Sequence, residues 1–137
     1  MRLVLAAVVV VVMGLAIAGV GMGDPPGKET APIGRALAAS KMRIAQGGRK
    51  VRRGRKAFEA EGCDACHSVA AIGAGGRLGP RMDRQTDPAA NIVENIEHPR
   101  VDIRPGFPAK LMPTDFVQRM GKKEIRRVAA FVKAASG

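Results

Sequence analysis

The segment Cys63-Asp64-Ala65-Cys66-His67 constrains this chain more than any other part of its sequence. Two cysteines separated by two residues and followed at once by a histidine form the pattern to which a c-type haem is attached. Each thiol can form a thioether with a haem vinyl group, and His67 can bind the iron from one face. Because these are the only two cysteines, this assignment leaves neither a free thiol nor a disulfide.

Two other uses of paired cysteines agree less well with the sequence. A thioredoxin-like redox pair lies in a βαβ context, and the pattern around this motif shows no such alternation. A structural zinc site needs four ligands, which here would be the two cysteines, the adjacent His67 and the remote His98. The sequence therefore predicts one covalently bound haem c, with zinc binding as an alternative.

The composition fits a small domain built around a bound cofactor. The chain has 137 residues and four phenylalanines, but neither tryptophan nor tyrosine. From Lys50 onward, large apolar side chains are few and scattered, too few for a substantial core in so short a domain. A buried haem would supply the missing apolar volume, so we expect folding to depend on the cofactor.

An uncharged segment near the N-terminus, residues 3–22, has the length of a membrane-spanning helix. As a helix it would span about 30 Å, the thickness of the hydrocarbon layer of a bilayer. Small residues that would suit signal-peptide cleavage stand at Ala16, Ala18, Gly21 and Gly23. We therefore expect residues 1–23 to be a membrane anchor or, as the alternative, a cleaved signal peptide.

The predicted N-terminal segment and the haem motif place the domain outside the cytoplasm, where c-type haem is attached. Against this, the chain has nine basic residues and no acid between Ala31 and Ala57, and such segments tend to stay cytoplasmic. That tendency weakens with distance from the apolar segment, so the haem motif is the stronger indication of where the domain lies. We expect the extracytoplasmic face of the cytoplasmic membrane, or a periplasmic or secreted protein if the segment is cleaved.

The formal net charge of +11 indicates which partners the protein attracts. A strongly basic small protein is drawn to acidic protein surfaces, anionic lipid or nucleic acid. Nucleic acid is not expected as a partner of a chain that leaves the cytoplasm. Anionic lipid could bind the basic residues of segment 35–56, which are Arg35, Lys41, Arg43, Arg49, Lys50, Arg52, Arg53, Arg55 and Lys56.

The sequence divides into three regions. Residues 24–48 follow the apolar segment 1–23 and form a basic tether that begins with several prolines and glycines. Within it, residues 31–46 have the pattern of a weakly amphipathic helix, with a solvated linker as the other interpretation. Residues 49–137 form the predicted haem domain.

Three helices are predicted in the haem domain. The first covers residues 49–61, and the second covers residues 87–98, where Asp87 would be the N-cap before a proline. The last runs from about residue 121 to 135, with Glu124 at the third helical position. Glycine-rich and proline-rich loops lie between them and no strand is predicted, so the expected fold class is all-α.

Met112 is the expected second ligand of the haem iron. Methionine and histidine are the usual choices for this position. Segment 105–113 contains three prolines, so it is stiff enough to hold a thioether against the haem. Met82 and Met120 are alternatives, and His98 is expected to be a surface residue.

Residues 50–137 resemble a class I c-type cytochrome. The resemblance is carried by Gly54, Phe58, Gly79, Pro80, Met112, Pro113, Val128 and Phe131, together with the haem motif. It implies a small cytochrome c fold of about three to five helices around one haem. It also implies that the Pro80 carbonyl accepts a hydrogen bond from His67 Nδ1, and that His67 and Met112 are the axial ligands.

The function implied by this resemblance is single-electron transfer, rather than enzymatic catalysis, in a respiratory or related electron-transport chain. Basic residues around the haem edge would dock on acidic patches of redox partners. An open iron site with peroxidase-like activity is an alternative if Met112 does not bind.

A narrower resemblance concerns residues 91–112, which are similar to the haem domain appended to subunit II of some haem–copper oxidases. It implies an alternative role as a fixed haem subunit of an oxidase or quinol-oxidising complex. The chain lacks the copper-binding domain of those subunits. It also lacks the Trp and Tyr that bind a haem propionate in some relatives, so Arg77 and Arg81 are the predicted propionate contacts.

Overall fold

The computed structural model describes residues 31–137, and this part of the chain is mainly helical, which confirms the predicted all-α class. Its helices are α1 (Ala31–Gln46), α2 (Gly48–Ala60), α3 (Cys63–Cys66), α4 (Ala89–Glu97) and α5 (Phe116–Ser136). Two short strands, β1 (Ser68–Val69) and β2 (Ala74–Gly75), pair antiparallel. Two 3₁₀ turns, Ala70–Ile72 and Met82–Arg84, lie in the loop between α3 and α4.

The core forms where α2 crosses α5. Helical spacing places Val51, Gly54 and Phe58 on the buried face of α2. The rings of Phe58 and Phe131 have centroids 5.3 Å apart and are tilted by 59°, which is a favourable aromatic arrangement. A Cβ on Gly54 would lie 1.8 Å from the backbone oxygen of Arg127. The helices therefore approach this closely only because residue 54 has no side chain.

A short helical part that the sequence does not predict precedes the last helix. Element α5 has two helical parts, residues 116–120 and the long part that begins after Gly121, where the backbone has φ 73° and ψ 159°. Phe116 is 4% exposed, so its burial holds the first turn against the core. The prediction located the start of the long regular part but missed the turn that precedes it.

Neither of the two predicted acidic helix-start residues acts as a cap. The carboxylate of Asp87 binds Arg104, and no side chain caps the N-terminus of α4. Glu124 binds Arg127, one turn further along the same helix. An ionised pair makes a stronger hydrogen bond than a carboxylate makes with a neutral group, so both acids bind a guanidinium instead.

The two strands contradict the prediction of no strand. Ser68 pairs with Gly75, and Val69 pairs with Ala74. Val69 is fully buried, so this small hairpin contributes to the core next to the haem motif. Strands of two residues are too short for an alternating pattern to be visible in a sequence.

Helix α1 packs on the C-terminal end of α5. Ser40 is 5% exposed, and its hydroxyl donates a hydrogen bond of 2.7 Å to the backbone oxygen of Ala135. Arg43 Nε donates to the backbone oxygen of Ala134 over 3.1 Å. The last carbonyls of a helix have no partner within that helix, so these two bonds cap α5. Segment 31–46 is thus a docked helix, and its interpretation as a solvated linker is wrong.

Removal of the Ser40 hydroxyl tests this docking. We expect Ser40→Ala to lower the free energy of unfolding by about 1 kcal/mol, because the Ala135 carbonyl loses its partner. Hydrogen exchange of the α1 amides should become faster in the haem-loaded protein. Ser136→Ala is the matched control, since that hydroxyl lies 3.4 Å from the Lys133 carbonyl of its own helix. Equal α1 exchange in the two variants would contradict the proposed cap.

The predicted anchor or signal segment, residues 1–23, lies outside the described residues. Within residues 31–137, no helix has both the length and the apolar character needed to cross a bilayer.

Candidate functional site

A single cleft brings together the four side chains predicted to hold a haem. Cys63, Cys66, His67 and Met112 all line it, although Met112 is far from the others in sequence. The cleft lies between the end of α2, α3, α4, α5 and the loops that follow α3 and α4. Much of its wall is apolar, including Phe58, Ile92, Ile96, Val128 and Val132.

The two thiols stand on one short helical turn. Gly62 precedes α3 with φ 73°, a left-handed conformation that glycine adopts without steric cost. The turn is closed by a hydrogen bond of 2.8 Å from the amide of His67 to the carbonyl of Cys63. Burial, reinforced by the charges of Glu61 and Asp64, raises the pKa of the Cys63 thiol to about 11. As long as it is free of haem, this thiol is therefore protonated at neutral pH.

The His67 ring is held in one orientation. Its Nδ1 lies 2.9 Å from the carbonyl oxygen of Pro80, and because a carbonyl can only accept, Nδ1 must carry the proton. Nε2 then keeps its lone pair free for a metal. Burial lowers the pKa of this imidazole, so it is neutral at physiological pH. A Cβ on Gly79 would lie 2.5 Å from His67 Cε1, so the backbone at Gly79 packs directly on the ring.

The loop that carries Pro80 is braced by Asp83. Arg81 donates to Asp83 through Nε at 3.1 Å and Nη2 at 3.0 Å. Asp83 also accepts from the amide of Ala70 over 3.3 Å. The hydrogen bonds from Arg81 are the main reason that the pKa of Asp83 is lowered. The Pro80 carbonyl is thus positioned by a loop that is fixed on both sides.

This brace predicts a dependence of stability on pH. A carboxyl with a lowered folded-state pKa contributes stability above its unfolded value of about 3.9 and loses it as the pH falls through the folded value. We expect Asp83→Asn to reduce the free energy of unfolding by no more than about 1 kcal/mol at pH 7, since the Arg81 side chain is half exposed. The difference from wild type should shrink below about pH 4.

Denaturant titrations of both proteins between neutral and acidic pH measure this difference. A double-mutant cycle with Arg81→Gln isolates the contribution of the pair. A difference that stays constant with pH would show that the ionised Asp83 does not brace the loop.

The loop that carries Met112 has a strained backbone. Lys110 has φ 68°, and it is the one residue other than glycine with positive φ among residues 31–137. This conformation costs a residue with a Cβ roughly 1–2 kcal/mol. Gly106, with φ 85°, provides a second left-handed position nearby. Met112 is partly buried where this loop borders the cleft.

The other ligand candidates lie in different surroundings. Met82 also lines the cleft and is 9% exposed, but it belongs to the loop that follows Pro80. Met120 lies on a shallow groove between α2 and α5 and not on the cleft wall. His98 is exposed and does not line the cleft, as expected for a surface residue.

Two basic residues on the cleft wall were missed by sequence reasoning. Arg104 and Lys110 line the cleft, whereas Arg77 and Arg81, the predicted propionate contacts, do not. Arg104 binds Asp87 and lies 3.4 Å from the side-chain oxygen of Gln85. No spacing in the sequence signals this arrangement, because Arg104 meets partners about twenty residues away.

Comparison with known protein families matches residues 51–136 to the model described as cytochrome c. The chain belongs to the cytochrome c family. No curated protein and no solved structure gives a significant match. Cytochromes c bind haem c covalently and carry electrons with it. The site fits that group, because two thiols and a neutral imidazole share one largely apolar cleft.

Proposed function

We propose that this cytochrome c is a single-electron carrier with one haem c, bound through Cys63 and Cys66 and ligated by His67 and Met112. The observation that carries the proposal is the shared cleft, which gathers the motif and Met112 from distant parts of the chain. The thioether suits the role, since a methionine ligand raises the reduction potential.

Met112 is the preferred second iron ligand among the methionines because of its position in the segment 105–113. A second axial ligand must approach from the face opposite His67. Met82 is two residues from Pro80, whose carbonyl holds the His67 ring, so it is less suited to reach the opposite face. Met120 does not line the cleft. Met112 lies in a separate, proline-rich segment that contributes to the cleft wall.

The haem supplies a reversible one-electron change at its iron. Around it, the chain favours the reduced state, because an apolar wall disfavours the additional positive charge of the oxidised form. The hydrogen bond from His67 Nδ1 to Pro80 increases the basicity of Nε2 and fixes the ring. Two side-chain ligands leave no open position for oxygen or peroxide, which favours a carrier over an enzyme.

The peroxidase-like alternative needs an acid–base group beside an open iron position. Within residues 31–137, His67 is the only histidine that lines the cleft, and it is assigned as the proximal ligand. The carboxylates of Glu61 and Asp102 also line the cleft, but they face the guanidinium groups of Arg119 and Arg104. The proposed carrier is therefore better supported than the peroxidase.

Optical spectra of the purified, oxidised and dithionite-reduced protein test this function. We expect a sharp low-spin reduced spectrum, a weak near-infrared thioether–iron band in the oxidised form, and no binding of carbon monoxide. A high-spin protein that binds carbon monoxide would overturn the proposal that this protein is an electron carrier. A protein without haem would mean that the motif binds zinc or occurs by chance.

We further propose an extracytoplasmic location and redox partners with acidic docking patches, in a respiratory or related chain. The basic side chain of Lys110, which lines the cleft and is exposed, supports such docking. Segment 91–112, with its resemblance to oxidase haem domains, supports the alternative of a fixed subunit. In mild detergent a subunit comigrates with its complex, whereas a free carrier migrates alone.

A further inference from the structure

We propose that the exposed face of α2 binds the surface of an anionic lipid membrane. This face carries Arg49, Arg52, Arg53 and Lys56, here called the basic stripe. Their spacing of i, i+3, i+4 and i+7 places all four on one side of the helix, and all four are exposed. The opposite face of α2 packs on α5.

Two acids, Glu61 and Glu124, line a groove together with Arg53 and Lys56 of the basic stripe, but each forms its ion pair with another residue, Glu61 with Arg119 and Glu124 with Arg127. Residues 31–58 contain no aspartate or glutamate. The next acid along the chain, Glu59, is already paired with Arg55. Within residues 31–137 no member of the stripe forms an ion pair. The stripe is therefore available to an external anion.

The arrangement is unfavourable in the protein alone. Arg49 and Arg53, and likewise Arg52 and Lys56, are like-charged pairs four residues apart, and such pairs destabilise a helix. Arg49 also lies in the first turn of α2, where the helix dipole disfavours a cation. An anionic surface in contact with the stripe removes both effects. The placement of these charges is thus explained by a bound anion.

A membrane is a better partner for this stripe than an acidic protein. A protein interface gains specificity from charges of both signs in a complementary pattern, whereas this row contains one sign only. Only residues 24–30 separate α1 from the apolar segment 1–23, which the sequence predicts to enter a membrane. None of the four residues lines the cleft, so a membrane on this face leaves the cleft accessible to redox partners.

Lysine footprinting on liposomes tests the proposal. The haem-loaded protein, in the form in which the cell produces it, is reconstituted or incubated with vesicles of pure phosphatidylcholine, or of equal parts phosphatidylcholine and phosphatidylglycerol. We expect acylation of Lys56 to slow at least severalfold on the anionic vesicles only, and to recover at high salt. Lys110 at the cleft and Lys123 on α5 are internal references whose acylation should not change.

Two variants with the same net charge provide the control. Arg49→Gln/Arg52→Gln/Arg53→Gln removes most of the stripe and keeps Lys56 as the reporter. Arg84→Gln/Arg100→Gln/Arg126→Gln removes three exposed charges elsewhere. Each basic residue near an anionic surface contributes about fivefold in affinity, so the first variant should lose about a hundredfold and with it the Lys56 protection.

The control variant should keep that protection. The proposal is overturned by equal protection in the two variants, by protection on neutral vesicles, or by no protection on anionic ones. Protection that arises only with an acidic protein partner would also overturn it in favour of a protein interface.

Discussion

Replacing Met112 with alanine is expected to convert a six-coordinate haem centre into an open one. Cys63, Cys66 and His67 remain, so the variant should still contain covalent haem. It should become high-spin and bind carbon monoxide, because the proposed ligand opposite His67 is lost. Its reduction potential should fall by on the order of 0.1 V or more, within the roughly 0.8 V range that axial ligands control.

Met120→Ala is the matched control for this experiment. Met120 is the same residue type, is partly buried and lies outside the cleft. Its loss should leave the spectrum and the potential unchanged. If Met120→Ala or Met82→Ala abolished the near-infrared band while Met112→Ala kept it, the assigned ligand would be wrong.

The second large effect is expected at Gly54, where α2 crosses α5. Alanine would place a Cβ 1.8 Å from the Arg127 carbonyl oxygen and 3.0 Å from Phe131 Cβ. Backbone cannot move aside as a flexible side chain can, so the helices must separate. We expect Gly54→Ala to lower the free energy of unfolding by about 3 kcal/mol, and the melting temperature of the haem-loaded protein by on the order of 10 °C or more.

Gly34→Ala separates this effect from helix propensity. Gly34 is also a helical glycine, in α1, but a Cβ there would meet nothing within 4 Å. Alanine should therefore leave stability unchanged or raise it by up to about 1 kcal/mol. A Gly54→Ala protein that melts at the wild-type temperature would show that the crossing is looser than described.

The helices were largely predictable because their signals are local. Apolar residues recur every three or four positions in α2, α4 and α5, and glycine or proline marks several of their ends. The turn from Phe116 to Gly121 was missed because what stabilises it is burial against distant elements. The docking of α1 could not be predicted either, because an amphipathic pattern does not show whether the apolar side of a helix packs on another part of the protein.

The site was predictable to the extent that its chemistry is local. The five-residue haem motif identified Cys63, Cys66 and His67. The family resemblance indicated Pro80, whose carbonyl oxygen lies 2.9 Å from His67 Nδ1. The basic residues of the cleft could not be found in this way. Arg104 reaches the wall through a loop held by Asp87, and no short-range pattern encodes such a contact.

The docking of α1 on α5 also determines how far the haem domain can travel. If residues 24–48 were all a free linker, these 25 residues could extend about 85 Å. Because α1 is docked on α5, the linker shortens to residues 24–30, which can extend at most about 24 Å. If residues 1–23 stay in a bilayer, as the sequence predicts, the search volume, which scales with the cube of the reach, would be roughly 45 times smaller. A carrier confined in this way would exchange electrons with partners in the same membrane and would not diffuse to distant ones.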